Sequence, residues 1–272
     1  MAIKTDFHLH SSFSGDSSEP MENAILHATR IGLTHICFTE HMDMDYPVSA
    51  DCPEGMFLLN TDSYLYDLIR LKEKYAAKIQ VLFGVEIGLQ PHLFREISVY
   101  TKGYDFDFVI GSVHVANKKD PYYPAFYEGR SDEEAYREYF GCVLENVKKS
   151  KNFDVCGHLD YCVRYGKNKD FDYSYEKYKD AIDPILYALL ESEKGLELNT
   201  GSLRSGTRDV SPCTAILKRY RELGGEIITV GSDAHKSCDI ASDFDRAREI
   251  LSDCGFRYYT VFEKRQPEFF KL

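Results

Sequence analysis

Apolar residues along the 272-residue chain fall in short runs, each followed by a polar loop and then by a stretch with apolar positions at three- and four-residue spacing. The short runs read as buried strands and the longer periodic stretches as amphipathic helices. The runs predict strands at Ile3–Phe7, Ile36–Thr39, Ile79–Val85, Phe106–Gly111, Val155–Gly157, Leu196–Leu198 and Ile227–Val230. The periodic stretches predict helices near Met21–Ile31, Asp62–Tyr75, Asp132–Lys149, Tyr173–Leu190, Pro212–Leu223 and Ala241–Leu251, with a shorter one between Pro91 and Lys102. Gly32, Gly195 and Gly224 follow helical stretches, where a C-terminal cap needs them. Such alternation implies an α/β fold, a mostly parallel sheet with helices outside it. The length suits one domain over residues 1–272, since α/β barrels reach it undivided.

Two polar stretches interrupt the pattern: Met42–Asn60, rich in Asp and Pro, and Ala116–Gly129, which holds Pro-Tyr-Tyr-Pro. Long loops in a compact enzyme serve as lids or specificity elements, or are plain surface insertions.

The strand ends carry the chemistry. The first ends in Asp6-Phe-His-Leu-His10, the second in Glu40-His41, the third in Gly84-Val-Glu86 and the fourth in Gly111-Ser-Val-His114. The fifth ends in Gly157-His-Leu-Asp160, the sixth in Asn199-Thr-Gly201 and the seventh in Gly231-Ser-Asp-Ala-His235. His8 and His10 are two apart on a strand and so share a face. Six of the nine histidines sit at these ends, and Asp16 follows the first. One histidine on an apolar strand is usually a satisfied core residue; six at the same end of successive strands are not explained that way. Barrel enzymes build their sites at that face. Imidazoles with carboxylates suit zinc, iron or manganese, and the absence of cysteine from the set disfavours a structural thiolate zinc site. His8, His10, Asp16, His41, Glu86, His114, His158, Asp233 and His235 are too many for one ion and suit two to three divalent ions with a bridging carboxylate. Clustered ions acidify a bound water and clamp phosphoryl oxygens. Against three such ions the carboxylates and a hydroxide leave roughly +2, enough to attract a phosphate dianion.

The net charge of −11 makes nucleic acid a poor partner. No signal peptide is expected from the opening residues, and no apolar run is long enough to span a bilayer. Its eight cysteines form no C-x-x-C pair, so a reducing cytoplasm is expected. His27 and His35 read as structural or surface residues, and His92 as a loop residue that could touch substrate.

Asp6-Phe-His-Leu-His-Ser11, Asp16, Thr39-Glu-His41, Gly84-Val-Glu86, Gly111-Ser-Val-His114, Gly157-His-Leu-Asp160 and Gly231-Ser-Asp-Ala-His235 together resemble the PHP (polymerase and histidinol phosphatase) superfamily. The resemblance spans nearly the whole chain in family order. It implies a distorted, TIM-like (β/α)7 barrel with a trinuclear metal centre. His158-Leu-Asp-Tyr-Cys-Val-Arg164 and Asn199-Thr-Gly-Ser-Leu-Arg204 resemble the phosphate-side elements of the histidinol-phosphate phosphatase branch. On that resemblance His8, His10, Glu86 and Asp233 hold one ion, and Glu86 bridges to a second held by His114 and His158. Asp16, His41 and His235 hold a third. Asp16 stands where many relatives carry histidine, and Glu40 where many carry aspartate. Arg164 and Arg204 are the expected phosphate clamps, with Arg130 and Arg208 as weaker candidates, because a guanidinium fork makes bidentate bonds to phosphate. Asp160 is expected to orient His158 or to cap a local turn. Asp233 is expected to steer the nucleophile's proton. His41 and His235 could assist the leaving group if they are not tied up as ligands.

The expected reaction is hydrolysis of a small phosphate monoester, L-histidinol phosphate foremost. Acidic residues of the two long loops (Asp43, Asp45, Asp51, Glu54, Asp120 and Glu128) could meet its ammonium, and Tyr122, Tyr123 or Tyr127 its imidazole. Rival readings are a phosphoesterase for a nucleotide or sugar phosphate, a metal-dependent amide or lactone hydrolase, and a PHP module kept only for structure or interaction. The full ligand set argues against the last.

Overall fold

The computed structural model describes residues 3–272. Its first half alternates β1 (Thr5–Leu9), α1 (Met21–Arg30), β2 (His35–Met42), α2 (Thr61–Tyr75), β3 (Gln80–Gly88), α3 (Phe94–Gly103) and β4 (Phe108–Ser112). Then come α4 (Asp132–Lys149), β5 (Val155–Cys156), α5 (Tyr175–Glu191), β6 (Gly195–Asn199), the short α6 (Gly201–Arg204), α7 (Thr214–Glu222) and β7 (Ile228–Gly231). The chain ends with α8 (Phe244–Asp253) and a hairpin of β8 (Tyr258–Glu263) and β9 (Gln266–Lys271).

Strands β1 to β7 pair in sequence order, all parallel. Just past its strand, β7 turns back onto β1: the Asp233 amide donates to the His8 carbonyl at 2.7 Å, and the His10 amide to the Ala234 carbonyl at 2.8 Å. The result is a nearly closed seven-stranded (β/α) barrel, as expected.

All seven predicted strands and all seven predicted helices are present. Helix α4 matches its predicted bounds because Ser131 and Glu134 form a reciprocal capping box at its start. Several strands run further than predicted. β2 continues through Glu40 and His41, and β3 through Glu86 to Gly88. Polar residues look like strand ends in sequence, yet here they face a buried barrel mouth, so the ladder continues beneath them.

The hairpin was not expected. Its turn residues Lys264 and Arg265 both adopt left-handed backbone, φ 50° and 62°, a role usually taken by Asn or Gly. Without those residues the turn carries no compositional signal. The hairpin plugs the barrel at its N-terminal end. Asp107, just before β4, accepts from the amides of Lys264 and Arg265, while Arg265 Nε donates to Asp154, just before β5. Inside, Phe7, Phe108 and Phe262 form a column with ring centroids 5.3 and 5.1 Å apart. One end of the barrel is therefore packed shut, and the opposite end holds the histidines.

Candidate metal centre

His8 lies in β1 and His10 just beyond it; His41 and Glu86 lie in β2 and β3; His114, His158, and Asp233 with His235 follow β4, β5 and β7. Seven parallel strands bring these positions to one rim. A bulge between Asp6 and Leu9 shifts the β1–β2 register at His8. Bulges of this kind re-aim side chains beside active sites.

Glu86 is the centre of the arrangement. Its Oε2 lies 3.2 Å from His8 Nε2 and 3.6 Å from His10 Nε2, and both nitrogens lie 3.6 Å from Asp233 Oδ1. Its Oε1 faces the other way, 3.1 Å from His114 Nε2 and 2.8 Å from His158 Nε2. At the rim, Asp16 Oδ2 lies 3.1 Å from His235 Nε2 and 3.5 Å from His41 Nε2. His41 stands between groups, since its Nδ1 is 3.0 Å from Glu86 Oε2. Ligands bonded to one ion at about 2.0–2.2 Å sit about 3.0–3.6 Å from each other. The observed spacings fall close to that range.

The donor set fits cations on a second count. His8 Nε2, His10 Nε2, His41 Nδ1 and Glu86 Oε2 are buried and make no hydrogen bond. Each such atom costs about 1–3 kcal/mol, more if charged, unless something else satisfies it. Four interlocking groups could each hold an ion: His8–His10–Asp233, His8–Glu86–His158, His41–Glu86–His114 and His10–His41–His235. Eight of the nine expected residues fall in these groups, with His8, His10, His41 and Glu86 each shared by two, and Asp16 joins them at the rim beside His41 and His235.

The far sides of the imidazoles are fixed by partners. His8 Nδ1 lies 2.5 Å from Glu197 Oε1, His10 Nδ1 3.1 Å from Ser14 Oγ and His114 Nδ1 2.7 Å from Asp43 Oδ1. Ser112 Oγ donates to Glu86 Oε1 at 2.6 Å. Such contacts set the tautomer and the ring orientation. Glu197 was missed in the sequence, although a carboxylate between Leu196 and Leu198 on a buried strand was a usable signal. It sits over Gly231, where a Cβ would come within 2.5 Å of its Oε1. Glu40 points away from the cluster and accepts from the Ser11 amide and from the Ser11 and Ser14 hydroxyls. It holds the loop that follows β1.

Charges within the cluster balance each other. Burial pulls the His8 imidazolium down, but Glu197, Glu86 and Asp233 outweigh burial and hold its pKa well above the ordinary value. The same contest raises His41 beside Asp16 and Glu86, and His114 beside Asp43 and Glu86. His10 goes the other way: burial, with the like charges of His235 and His41, pushes it down to about 3. Burial alone would raise Glu86, yet His8, His114 and His41 hold it well below the usual carboxylate range.

Above the cluster opens a cavity of about 530 Å³. Both long loops line it: Asp43, Tyr46, Asp51, Met56 and Phe57 from the first, Asp120, Tyr122 and Tyr123 from the second. They are tied together by the Tyr46 hydroxyl, which donates to Asp120. Arg164 lines the same cavity and is only 6% exposed; its guanidinium donates to Asp233 Oδ2 at 3.0 Å and Asn199 Oδ1 at 2.8 Å.

Other expectations need correction. Arg204 does not line the cavity; its guanidinium donates to the carbonyls of Ser232 and Asp233 and so braces the loop that carries Asp233. Arg130 pairs with Glu138 and Arg208 with Asp170, both away from the cluster. Asp160 does not touch the His158 ring; it accepts from the Ser211 hydroxyl, the Cys213 amide and the Tyr173 hydroxyl. His92 bonds Asp45 at the surface. Tyr127 is buried, with its hydroxyl on the Cys162 carbonyl.

Comparison with known proteins agrees with this geometry. A histidinol-phosphatase of Lactococcus lactis subsp. lactis is 34% identical over 95% of this chain and 94% of its own. A probable histidinol-phosphatase of Clostridium acetobutylicum is also 34% identical, over 96% of this chain and 97% of its own. The crystal structure of histidinol phosphate phosphatase from Lactococcus lactis, complexed with zinc, L-histidinol and phosphate, superimposes with a TM-score of 0.88 at 32% identity, covering 98% of this chain and 99% of that one. The PHP domain matches residues 6–201, which hold β1 to β6 and seven of the nine clustered residues, and on that match the chain belongs to the PHP domain family.

Proposed function

We propose that this protein is a metal-dependent phosphomonoesterase that hydrolyses L-histidinol phosphate to L-histidinol and inorganic phosphate. The observation that carries the reading is Glu86, set with one oxygen toward His8 and His10 and the other toward His114 and His158, beneath a cavity lined by the buried Arg164. The choice of substrate is supported by the Lactococcus lactis complex with zinc, L-histidinol and phosphate.

The proposed ligands are His8, His10, Glu86 and Asp233 for one ion, Glu86, His114 and His158 for a second, and Asp16, His41 and His235 for a third. Bound ions of this kind supply an acidified water and positive charge for the phosphoryl oxygens. The protein's own groups do the rest. Arg164 spends one N–H of each terminal nitrogen on Asp233 and Asn199, so each retains a second N–H for a phosphate oxygen. Asp233 would be raised by burial, but His8, His10, Arg164 and His235 hold it well below the usual carboxylate range, so it stays ionised, as a metal ligand must, and can accept a hydrogen bond that orients the attacking water. The aromatic and acidic loop residues enclose the alcohol portion and exclude bulk solvent.

The same reading takes residues 1–272 as a single PHP domain, since β7, Asp233 and His235 lie beyond residue 201 and complete the barrel. It also places the protein in the cytoplasm, which accords with eight free cysteines. Among the described residues no helix is long and apolar enough to cross a membrane. The test is phosphate release from L-histidinol phosphate by the chain loaded with zinc, manganese or iron, measured before and after chelation. Release that chelation abolishes and metal restores supports the reading. Release unaffected by complete metal removal overturns it.

A further inference from the structure

Asp43 belongs to a loop whose acidic residues look solvated in sequence, yet it is buried, 3% exposed, against the cluster. Its backbone is pinned where β2 ends, with the amide donating to the Phe57 carbonyl at 2.9 Å. Its Oδ1 accepts from His114 Nδ1 at 2.7 Å. With a metal ion bound, that bond would keep the ring proton on Nδ1 and free the Nε2 lone pair for the ion on the Glu86 side, where Oε1 lies 3.1 Å away. Its Oδ2 makes no hydrogen bond and lies 3.6 Å from His41 Nδ1. One carboxylate therefore touches imidazoles on two sides of Glu86.

The neighbouring strand is shaped around it. Gly88 ends β3, and a Cβ there would fall 2.1 Å from Asp43 Oδ1 and 2.6 Å from its carboxyl carbon. Any side chain at position 88 would evict the carboxylate. Glycine weakens a strand, so its place here has a packing reason.

We infer that Asp43, seated over Gly88, is a positioning residue that fixes the tautomer and orientation of His114 for the metal ion shared with Glu86, rather than a partner for the substrate's ammonium group. The inference rests on the metal reading of Glu86 and His114.

The test uses the full chain carrying Asp43→Ala, Asp43→Asn or Gly88→Ala, stripped and reloaded with zinc. Zinc retained against a graded chelator is counted, and kcat and KM are read on L-histidinol phosphate and on p-nitrophenyl phosphate, which has no ammonium. Asp43→Ala is expected to weaken one zinc per chain by about 10- to 100-fold and to lower kcat on both substrates alike. Asp43→Asn keeps an acceptor oxygen and should recover most of the zinc binding. Gly88→Ala should reproduce Asp43→Ala, and the two together should lose little more than either alone. Zinc affinity unchanged in Asp43→Ala overturns the inference. So does a defect confined to KM for L-histidinol phosphate, which would make Asp43 the ammonium's partner. If Gly88→Ala does not fold, the Asp43 variants alone decide. A wild-type chain that binds no zinc overturns this inference together with the metal reading; a wild type that binds it beside an unaffected Asp43→Ala overturns this inference only.

Discussion

Asp233 holds a left-handed backbone, φ 55°, which few residues other than glycine adopt. Strain of this kind persists where the surroundings over-determine it. Here the amide closes the barrel on the His8 carbonyl, Oδ1 faces His8 and His10, and Oδ2 meets Arg164. Asp233→Asn keeps the shape and tolerates the same backbone, so the fold should survive while turnover falls by at least about 100-fold. His158→Ala should do the same by removing one of the two imidazoles at Glu86 Oε1. Wild-type turnover with unchanged metal content in either variant would remove that residue from the centre. Arg164→Ala should lower kcat/KM for phosphate esters by roughly two orders of magnitude while metal content holds. Arg204→Ala should cost less, because that side chain reaches the site only through the Ser232 and Asp233 carbonyls. Equal losses in the two arginine variants, measured under the same conditions, would refute the distinction. The nine clustered residues were legible in sequence because imidazoles and carboxylates stand out where apolar runs end. Glu197 and Asp43 were missed in these roles: Glu197 left a signal, a lone carboxylate inside an apolar strand, whereas Asp43 stands in a loop dense with similar acids, where only the fold reveals which carboxylate is buried against an imidazole.

Every strand of the barrel was legible, but the strand ends were misjudged where the catalytic rim begins. Apolar periodicity reports burial against hydrocarbon, and it stops at residues buried against other polar groups. The hairpin of β8 and β9 was invisible for a different reason, since Lys264 and Arg265 take backbone angles that their residue types do not advertise. That hairpin closes the barrel floor with Phe262, which is 3% exposed and stacks on Phe108. Truncating a buried aromatic typically costs about 3–5 kcal/mol. Phe262→Ala should therefore lower unfolding stability by about that amount in urea titrations, although it lies at the end of the barrel opposite the metals. Its kcat at a temperature where it remains folded should stay near the wild-type value. A loss below about 1 kcal/mol would mean that the hairpin is an ornament on a barrel that is stable without it.

At the scale of the whole molecule, a chain of net charge −11 concentrates acid and imidazole at one mouth, and that concentration has a thermodynamic and a functional consequence. Ions that bind the native cluster and not the unfolded chain add about 2.7 kcal/mol when present at one hundred times their dissociation constant. Stripping the metal should thus lower Tm by roughly 5–10 °C for a domain of this size, and reloading should restore it. A Tm indifferent to chelation would contradict a metal-stabilised mouth. The functional consequence concerns the substrate. On the proposed reading phosphate is drawn to the ions and Arg164, while the wall that the two long loops contribute to the cavity carries Asp51 and Asp120 beside Tyr46, Tyr122, Tyr123 and Phe57. Asp120 is buried and accepts from the hydroxyls of Tyr46 and Tyr161, so this wall is built and not merely left acidic. An ester with a cationic, ring-bearing alcohol complements such a wall, whereas a nucleotide or sugar bearing a second phosphate would be repelled by it. Remote contacts of this kind raise kcat/KM by holding the ester at the reacting centre, and each 1.4 kcal/mol so gained is about a factor of ten. L-histidinol phosphate should therefore exceed p-nitrophenyl phosphate, nucleoside monophosphates and sugar phosphates in kcat/KM by at least about tenfold under identical metal loading. If the best of those esters is used as well as L-histidinol phosphate, the wall does not read the alcohol, and the substrate assignment falls while the phosphoesterase chemistry of the mouth remains.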